Sequence, residues 1–148
     1  MSLNPKQIKI AVVAALFNEF ITKRLLDGCL KQLKKDGVLE KNIFIHWVPG
    51  SFEIPVTAQK LAKQKSHHAV ICLGAVIRGE TFHFDLIALG AAQGIMQATL
   101  ETEKPVIFGI LTTDTVRQAT SRSDIKGNNK GRDAARAALQ MVGVLREI

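Results

Sequence analysis

The stretch Ile71-Cys-Leu-Gly-Ala-Val-Ile-Arg-Gly-Glu-Thr-Phe-His-Phe-Asp85 decides how the rest of the chain is read. It opens as an unbroken apolar run, the pattern of a strand covered on both faces in a parallel sheet. It then breaks at Arg78-Gly79 into a turn carrying Arg78, Glu80, Thr81, His83 and Asp85, and a helix-length segment follows from Phe84 to Glu101. Open α/β sheets make their ligand sites in the crevice beyond the carboxyl ends of such strands. Gly74-x4-Gly79 has the glycine spacing of a nucleotide-binding loop, but Glu80 stands where that loop needs a lysine. A carboxylate there repels a polyphosphate, so the turn does not read as an ATP or GTP loop.

Outward from this stretch, strand and helix patterns alternate. Ile8–Ala15 is rich in β-formers, and Glu19–Asp36 places Ile21, Leu25, Leu26, Cys29, Leu30 and Leu33 on one helical stripe, with Gly37 as a stop. Ile43–Val48 reads as the second strand, broken by Pro49-Gly50 and followed by a helix near Phe52–Lys65. Ala69–Val76 is the third strand, Phe84–Glu101 the third helix and Pro105–Leu111 the fourth strand. Val116–Thr120 reads as a short helical turn, Ser121–Lys130 as a polar loop and Gly131–Arg146 as the last helix. Repeated β-α units with short, right-handed connections imply an α/β, flavodoxin-like three-layer sandwich: a four-stranded parallel sheet flanked by helices. With 148 residues and no linker or repeat, residues 1–148 read as a single domain.

Composition narrows the function classes. The net charge of +7 raises the question of nucleic acid, but its lysines fall mostly on helical faces, as with Lys31, Lys34 and Lys35. No zinc-finger spacing or basic heptad is present, and with no Tyr and one Trp there is little to stack bases on. Attraction for small anionic ligands is the better reading. Cys29 and Cys72 sit inside apolar patterns and read as reduced, structural thiols of a cytoplasmic protein. No run approaches the ~20 apolar residues of a membrane span.

The chemistry-bearing residues cluster after each strand: Phe17-Asn18, Pro49 to Glu53, Arg78 to His83, and Thr112-Thr113-Asp114. In a parallel sheet all four clusters share one rim, which predicts one site fed by every strand. His83 is the natural proton shuttle, because imidazole titrates near neutral pH and this residue joins the turn to a helix. His46, His67 and His68 read as structural. The amides of Gly79, Glu80 and Thr81 lie at a helix start, where free N–H groups favour anions. Arg122 and Lys130 bring cations from the polar loop, and the planar arginine fork suits phosphate.

Leu16-Phe-Asn-Glu-Phe-Ile-Thr22, Val48-Pro-Gly-Ser-Phe-Glu-Ile-Pro55, Gly74 to His83, Pro105-Val-Ile-Phe-Gly-Ile-Leu-Thr-Thr113 and Lys126-Gly-Asn-Asn-Lys-Gly131 resemble, in order and spacing, the blocks of the lumazine synthase family. Any one block is common; five in register are specific. The resemblance covers about Ile8 to Leu145. It implies a condensation of a ribitylamino-pyrimidinedione with dihydroxybutanone phosphate, the penultimate step of riboflavin biosynthesis, with no cofactor and no metal. It implies that His83 is catalytic and that Gly79, Glu80, Thr81, Arg122 and Lys130 hold phosphate. Phe17 would stack on the pyrimidine, Glu53 accept from ribityl hydroxyls, and Ser51, Phe52, Val76, Ile77 and Phe108 contribute backbone contacts and walls.

The resemblance further implies pentameric rings, with the third helix lining the channel. Phe17, Glu53 and His83 would then face Phe108, Arg122 and Lys130 of a neighbouring chain. Small residues at Ala88, Gly90, Ala91, Ala92, Gly94 and Ala98 fit close approach by other elements. The Lys126–Gly131 loop lacks the insertion that hinders shell closure, which keeps a 60-subunit capsid open, and riboflavin synthase enters as a candidate partner. Three positions depart from the family pattern: Leu16 stands where arginine is common, Phe82 where a smaller residue is usual, and Phe84 where tyrosine is also frequent. A flavin-binding module would need a Ser/Thr/Gly-rich loop after strand one, and Phe17-Asn18-Glu19-Phe20 is not one. A non-catalytic shell protein would keep the interfaces and lose His83 or Arg122; both are present.

Overall fold

The computed structural model describes residues 3–148. Its sheet has four parallel strands in the order β2-β1-β3-β4: β1 Ile10–Ala15, β2 Ile43–Val48, β3 Ala69–Ile77 and β4 Val106–Thr113. The helices are α1 Glu19–Lys35, α2 Ile54–Ala62, α3 His83–Thr102, α4 Val116–Arg122 and α5 Lys130–Glu147. The two central strands, β1 and β3, carry the apolar runs and are buried on both faces apart from Ile77 at the tip. The edge strand β2 is the one whose middle residues are exposed. The two-sided covering of β1 and β3 is what a parallel sheet demands of its central strands.

Each face has its own core. On one side Ile10, Val12, Ile71 and Leu73 pack against Ile21, Leu25 and Leu33 of α1 and Ala134, Ala135 and Ala138 of α5. On the other, Ala11, Val13, Val70 and Cys72 pack against Ile54 and Ala58 of α2 and Ala91, Ile95 and Ala98 of α3. The three-layer α/β sandwich expected from the alternation is therefore the fold observed.

Element ends differ from the sequence reading for local reasons. The chain enters β1 through a 3-10 turn at Pro5–Gln7, so pairing begins at Ile10 rather than Ile8. The second helical segment opens with a separate 3-10 turn, Ser51–Glu53, and α2 proper starts at Ile54, with Pro55 in the first turn where no N–H is missed. β4 runs two residues past Leu111, because Thr112 and Thr113 pair with Val76 and Ile77. α1 stops as predicted: Gly37 adopts φ +98°, and the N–H groups of Gly37 and Val38 donate to the carbonyls of Lys34 and Leu33. This paired closure is the Schellman motif.

Two close approaches fix the α1–α5 side. A Cβ at Gly131 would lie 1.9 Å from the Leu25 carbonyl oxygen, so only glycine lets the start of α5 sit on α1. Beside it Asn129 is fully buried. Its amide donates to the carbonyls of Arg24 and Ser123, and its oxygen accepts from the Arg132 N–H as an N-cap.

Candidate active site

The ends of β1, β2 and β3 converge as the rim argument requires. They enclose a cavity of about 570 Å³ lined by Phe17, Pro49 to Glu53, Ala75 to Ile77, Gly79, Thr81, His83, Phe84 and Ile87. Backbone geometry explains how such distant segments meet. Asn18 takes the left-handed conformation (φ 59°), which turns the chain sharply out of β1, and its side-chain amide donates to the Ala75 carbonyl at 2.8 Å. The N–H groups of Leu16 and Phe17 donate to the carbonyls of Val48 and Pro49. A Cβ at Gly74 would lie 2.9 Å from the Ser51 hydroxyl oxygen, so glycine lets the 3-10 turn seat on β3.

Within the cavity the chemistry is distributed by wall. Phe17 is 72% exposed and Phe52 58% exposed, two ring surfaces with little covering them. Glu53 folds back toward Gly50, where an added Cβ would lie 3.1 Å from its carboxylate oxygen. His83 is exposed as the first residue of α3, and its N–H donates to the Thr81 hydroxyl at 3.4 Å. A Cβ at Gly79 would meet nothing within 4 Å, so that backbone is open to whatever fills the cavity. The arrangement offers an aromatic wall, a carboxylate acceptor and an imidazole beside a run of backbone N–H groups at a helix start.

Of the residues singled out from sequence, Phe17, Ser51, Phe52, Glu53, Val76, Ile77, Gly79, Thr81 and His83 line this one cavity. Glu80 is exposed in the same turn but stands outside the lining. Phe108, Arg122 and Lys130 lie elsewhere. They line a second concavity of about 400 Å³ along the free edge of β4, with Thr112, Asn128 and Asp133. Within the chain, the ends of three strands share one cavity, and β4 borders another. Arg122 ends α4 and Lys130 starts α5, and both border β4 on the second concavity.

Two placements are also revised. Arg122 is not on a loop but closes α4, where its guanidinium donates to the Gln118 carbonyl at 3.5 Å, and Lys130 is the first residue of α5. The glycines of α3 are explained inside the chain: Cβ atoms at Gly90 and Gly94 would lie 3.0 Å from the Phe52 ring and 2.6 Å from Pro55. The face of α3 left uncovered is instead large and apolar. Leu86, Leu89, Met96 and Leu100 are 57–70% exposed and, with Gln93, recur at alternating three- and four-residue spacing.

Sequence reasoning assigned no role to Asn18, Asn129 or the Arg78 cluster. Asn18 had a signal, since Asn is the residue other than glycine that best tolerates a left-handed turn. Asn129 had one too, as an N-cap type just before a helix. The Arg78 guanidinium joins Asp114 at 2.8 Å and Asp85 at 3.5 Å, and the hydrogen bond to Asp114, followed by these charges, raises its already high pKa. No spacing rule announces that pairing. Elsewhere, burial pushes the Cys29 thiol up to about 12 and the Cys72 thiol up as well, which removes both from nucleophilic chemistry at neutral pH. Among the described residues no cluster of His, Cys, Asp and Glu suits a metal ion, and no helix is long and apolar enough to cross a membrane.

Comparison with known families agrees with this architecture. The family model described as 6,7-dimethyl-8-ribityllumazine synthase matches residues 7–146, from the entry into β1 to the last turn of α5.

Proposed function

Because the chain belongs to the 6,7-dimethyl-8-ribityllumazine synthase family, a family of riboflavin biosynthesis, we propose that it condenses 5-amino-6-(D-ribitylamino)uracil with 3,4-dihydroxy-2-butanone 4-phosphate to form 6,7-dimethyl-8-ribityllumazine. The pyrimidine amine attacks the ketone carbon, a C–N bond forms, and loss of water leaves an imine. Loss of the proton on the hydroxyl-bearing carbon, with cleavage of the neighbouring C–O bond to phosphate, expels inorganic phosphate and leaves an enol, which tautomerises to a methyl ketone. The ribityl-bearing nitrogen then closes the ring on the remaining carbonyl with loss of a second water.

The side chains suit these steps. The uncovered Phe17 ring can take the flat pyrimidine by stacking, and Glu53 can accept hydrogen bonds from the ribityl hydroxyls. His83 moves the protons at the amine and the carbinol oxygen. Gly79 and Thr81, with Glu80 in the same turn, offer backbone N–H groups to the phosphate, and Arg122 and Lys130 supply its cationic partners. Holding two substrates together in this way supplies much of the acceleration such a condensation needs.

The observation that carries this reading is the division of one family's site residues between two concavities of a single chain. Phe17, Glu53 and His83 line one, and Phe108, Arg122 and Lys130 line the other. A ring of copies that sets the β4 edge of one subunit against the β1–β3 rim of the next reunites them. The exposed Leu86, Leu89, Met96 and Leu100 face of α3 supports such a ring, since a monomer would leave that stripe in water. A pentamer is the assembly proposed. Incubating the purified protein with both substrates and following lumazine fluorescence tests the activity; absence of product with intact fold would refute it.

A further inference from the structure

Arg78 sits where the first turn of α3 meets the corner between β4 and α4. Its backbone N–H donates to the Thr113 carbonyl at 2.8 Å. Its side chain donates from Nε to Asp114 Oδ1 at 2.8 Å and approaches Asp85 Oδ2 to 3.5 Å through Nη1. The guanidinium carbon lies over Phe84, 4.5 Å from the ring centroid. Phe84 and Asp85 directly follow His83, and Phe84 borders both the cavity that holds His83 and the concavity that holds Arg78. Asp114 is itself held: its N–H donates to Gln118 Oε1 at 2.8 Å, in the capping box that starts α4.

We propose that Arg78 is a positioning residue for His83, anchoring the first turn of α3 to the β4–α4 corner. The inference rests on the function proposed above. Two of the four contacts reach α3, at Phe84 and Asp85, and two reach the β4–α4 corner, at Thr113 and Asp114. An arginine is needed because the task uses a planar fork and a stacking face together. Lysine offers a point charge and neither of these. The cluster is about half exposed, so it contributes little to global stability, and its geometry is the reason for it. The N-cap position of α3, Phe82, has no side-chain acceptor to give, and the Thr81 hydroxyl reaches the His83 N–H only at 3.4 Å.

The test compares Arg78→Met, which keeps the stem and removes the fork, with Arg78→Lys, in wild-type and His83→Ala backgrounds. Displacement of the imidazole should lower kcat about 10- to 100-fold in Arg78→Met, with both KM values within about threefold of wild type. Arg78→Lys should recover only part of that loss. In the His83→Ala background Arg78→Met should change the residual rate less than about twofold, because a group acting through His83 has nothing left to position. Hydrogen exchange gives a readout independent of activity: amides of Phe82–Leu86 should exchange faster in Arg78→Met, with β1 and α5 unchanged. Unchanged exchange there, a wild-type kcat, or equal slowing in both backgrounds overturns the proposal. Faster local exchange in a protein that makes no lumazine would retain the anchor and refute the proposed reaction.

Discussion

Asn18 ties the end of β1 to the end of β3, its side-chain amide donating to the carbonyl of Ala75 at 2.8 Å while its backbone turns left-handed. Both residues belong to the rim from which the cavity is built. Asn18→Gly keeps the backbone turn and loses the tie, which should cost about 1 kcal/mol. Asn18→Ala loses the tie and adds roughly 1–2 kcal/mol for a left-handed residue with a Cβ. Urea unfolding of the two variants should reproduce that order; equal losses would show that the turn conformation is not the constraint.

His83→Ala should slow lumazine formation by about 10²–10⁴-fold, the range for removing a principal proton shuttle. A residual rate should survive, since two oriented substrates still react faster than free ones. Turnover equal to wild type would remove His83 from the mechanism.

Arg122→Ala should weaken binding of the phosphate-bearing substrate far more than that of the pyrimidine, because only the former carries the anion a guanidinium recognises. If the site is shared between subunits, mixing His83→Ala and Arg122→Ala proteins under exchanging conditions should restore part of the activity. Mixed rings contain some interfaces with both wild-type halves. No recovery, despite demonstrated subunit exchange, argues for a site within one chain.

Two glycines of α5 should respond in opposite directions. Gly131→Ala would force a methyl group onto the Leu25 carbonyl and should destabilise by about 3 kcal/mol or more. A Cβ at Gly143 meets nothing within 4 Å, so Gly143→Ala should stabilise by about 0.5–1 kcal/mol through helix propensity. Thermal melts of the pair should show opposite shifts; a Gly131→Ala melting temperature equal to wild type would contradict the close α1–α5 approach.

His68 should make the fold acid-sensitive. Its Nδ1 accepts the Lys9 backbone N–H at 3.0 Å, and the His68 backbone N–H donates to the Lys9 carbonyl at 2.9 Å. Desolvation, then Arg146 and Lys104, lower its pKa from 6.5. A folded pKa below the unfolded one means that the unfolded chain binds the extra proton first. The stabilisation is therefore complete above about 6.5 and is lost as pH falls through the folded pKa. His68→Gln should flatten the decline in urea midpoint below pH 6.5. An unchanged slope would place that acid sensitivity in other groups.

Much of this was legible before any coordinates. The apolar runs of β1 and β3 mark central strands because such strands are covered on both sides, and Gly37 marks the end of α1 because its position demands a positive φ. The turn after Ile77 is legible from its residue types alone as a polar, titratable break at the carboxyl end of a buried strand. The boundary errors fall where neighbours overrule local preference. Thr112 and Thr113 look like loop residues until β3 pairs with them, and Arg122 looks like a loop cation until the capping box of Thr115 and Gln118 extends α4 to reach it.

The order of residues along the chain determined which segments are strands and helices, which faces they bury, and which five blocks place the chain in its family. Those properties follow from periodicity and side-chain type, which are local and non-directional. Only the tertiary structure decided that Gly90 and Gly94 serve Phe52 and Pro55, and that Arg78 grips Asp85 and Asp114. Each depends on the distance and direction between atoms remote in sequence. Hydrogen bonds, ion pairs and steric contacts are set within a few tenths of an ångström, and no spacing along the chain encodes that.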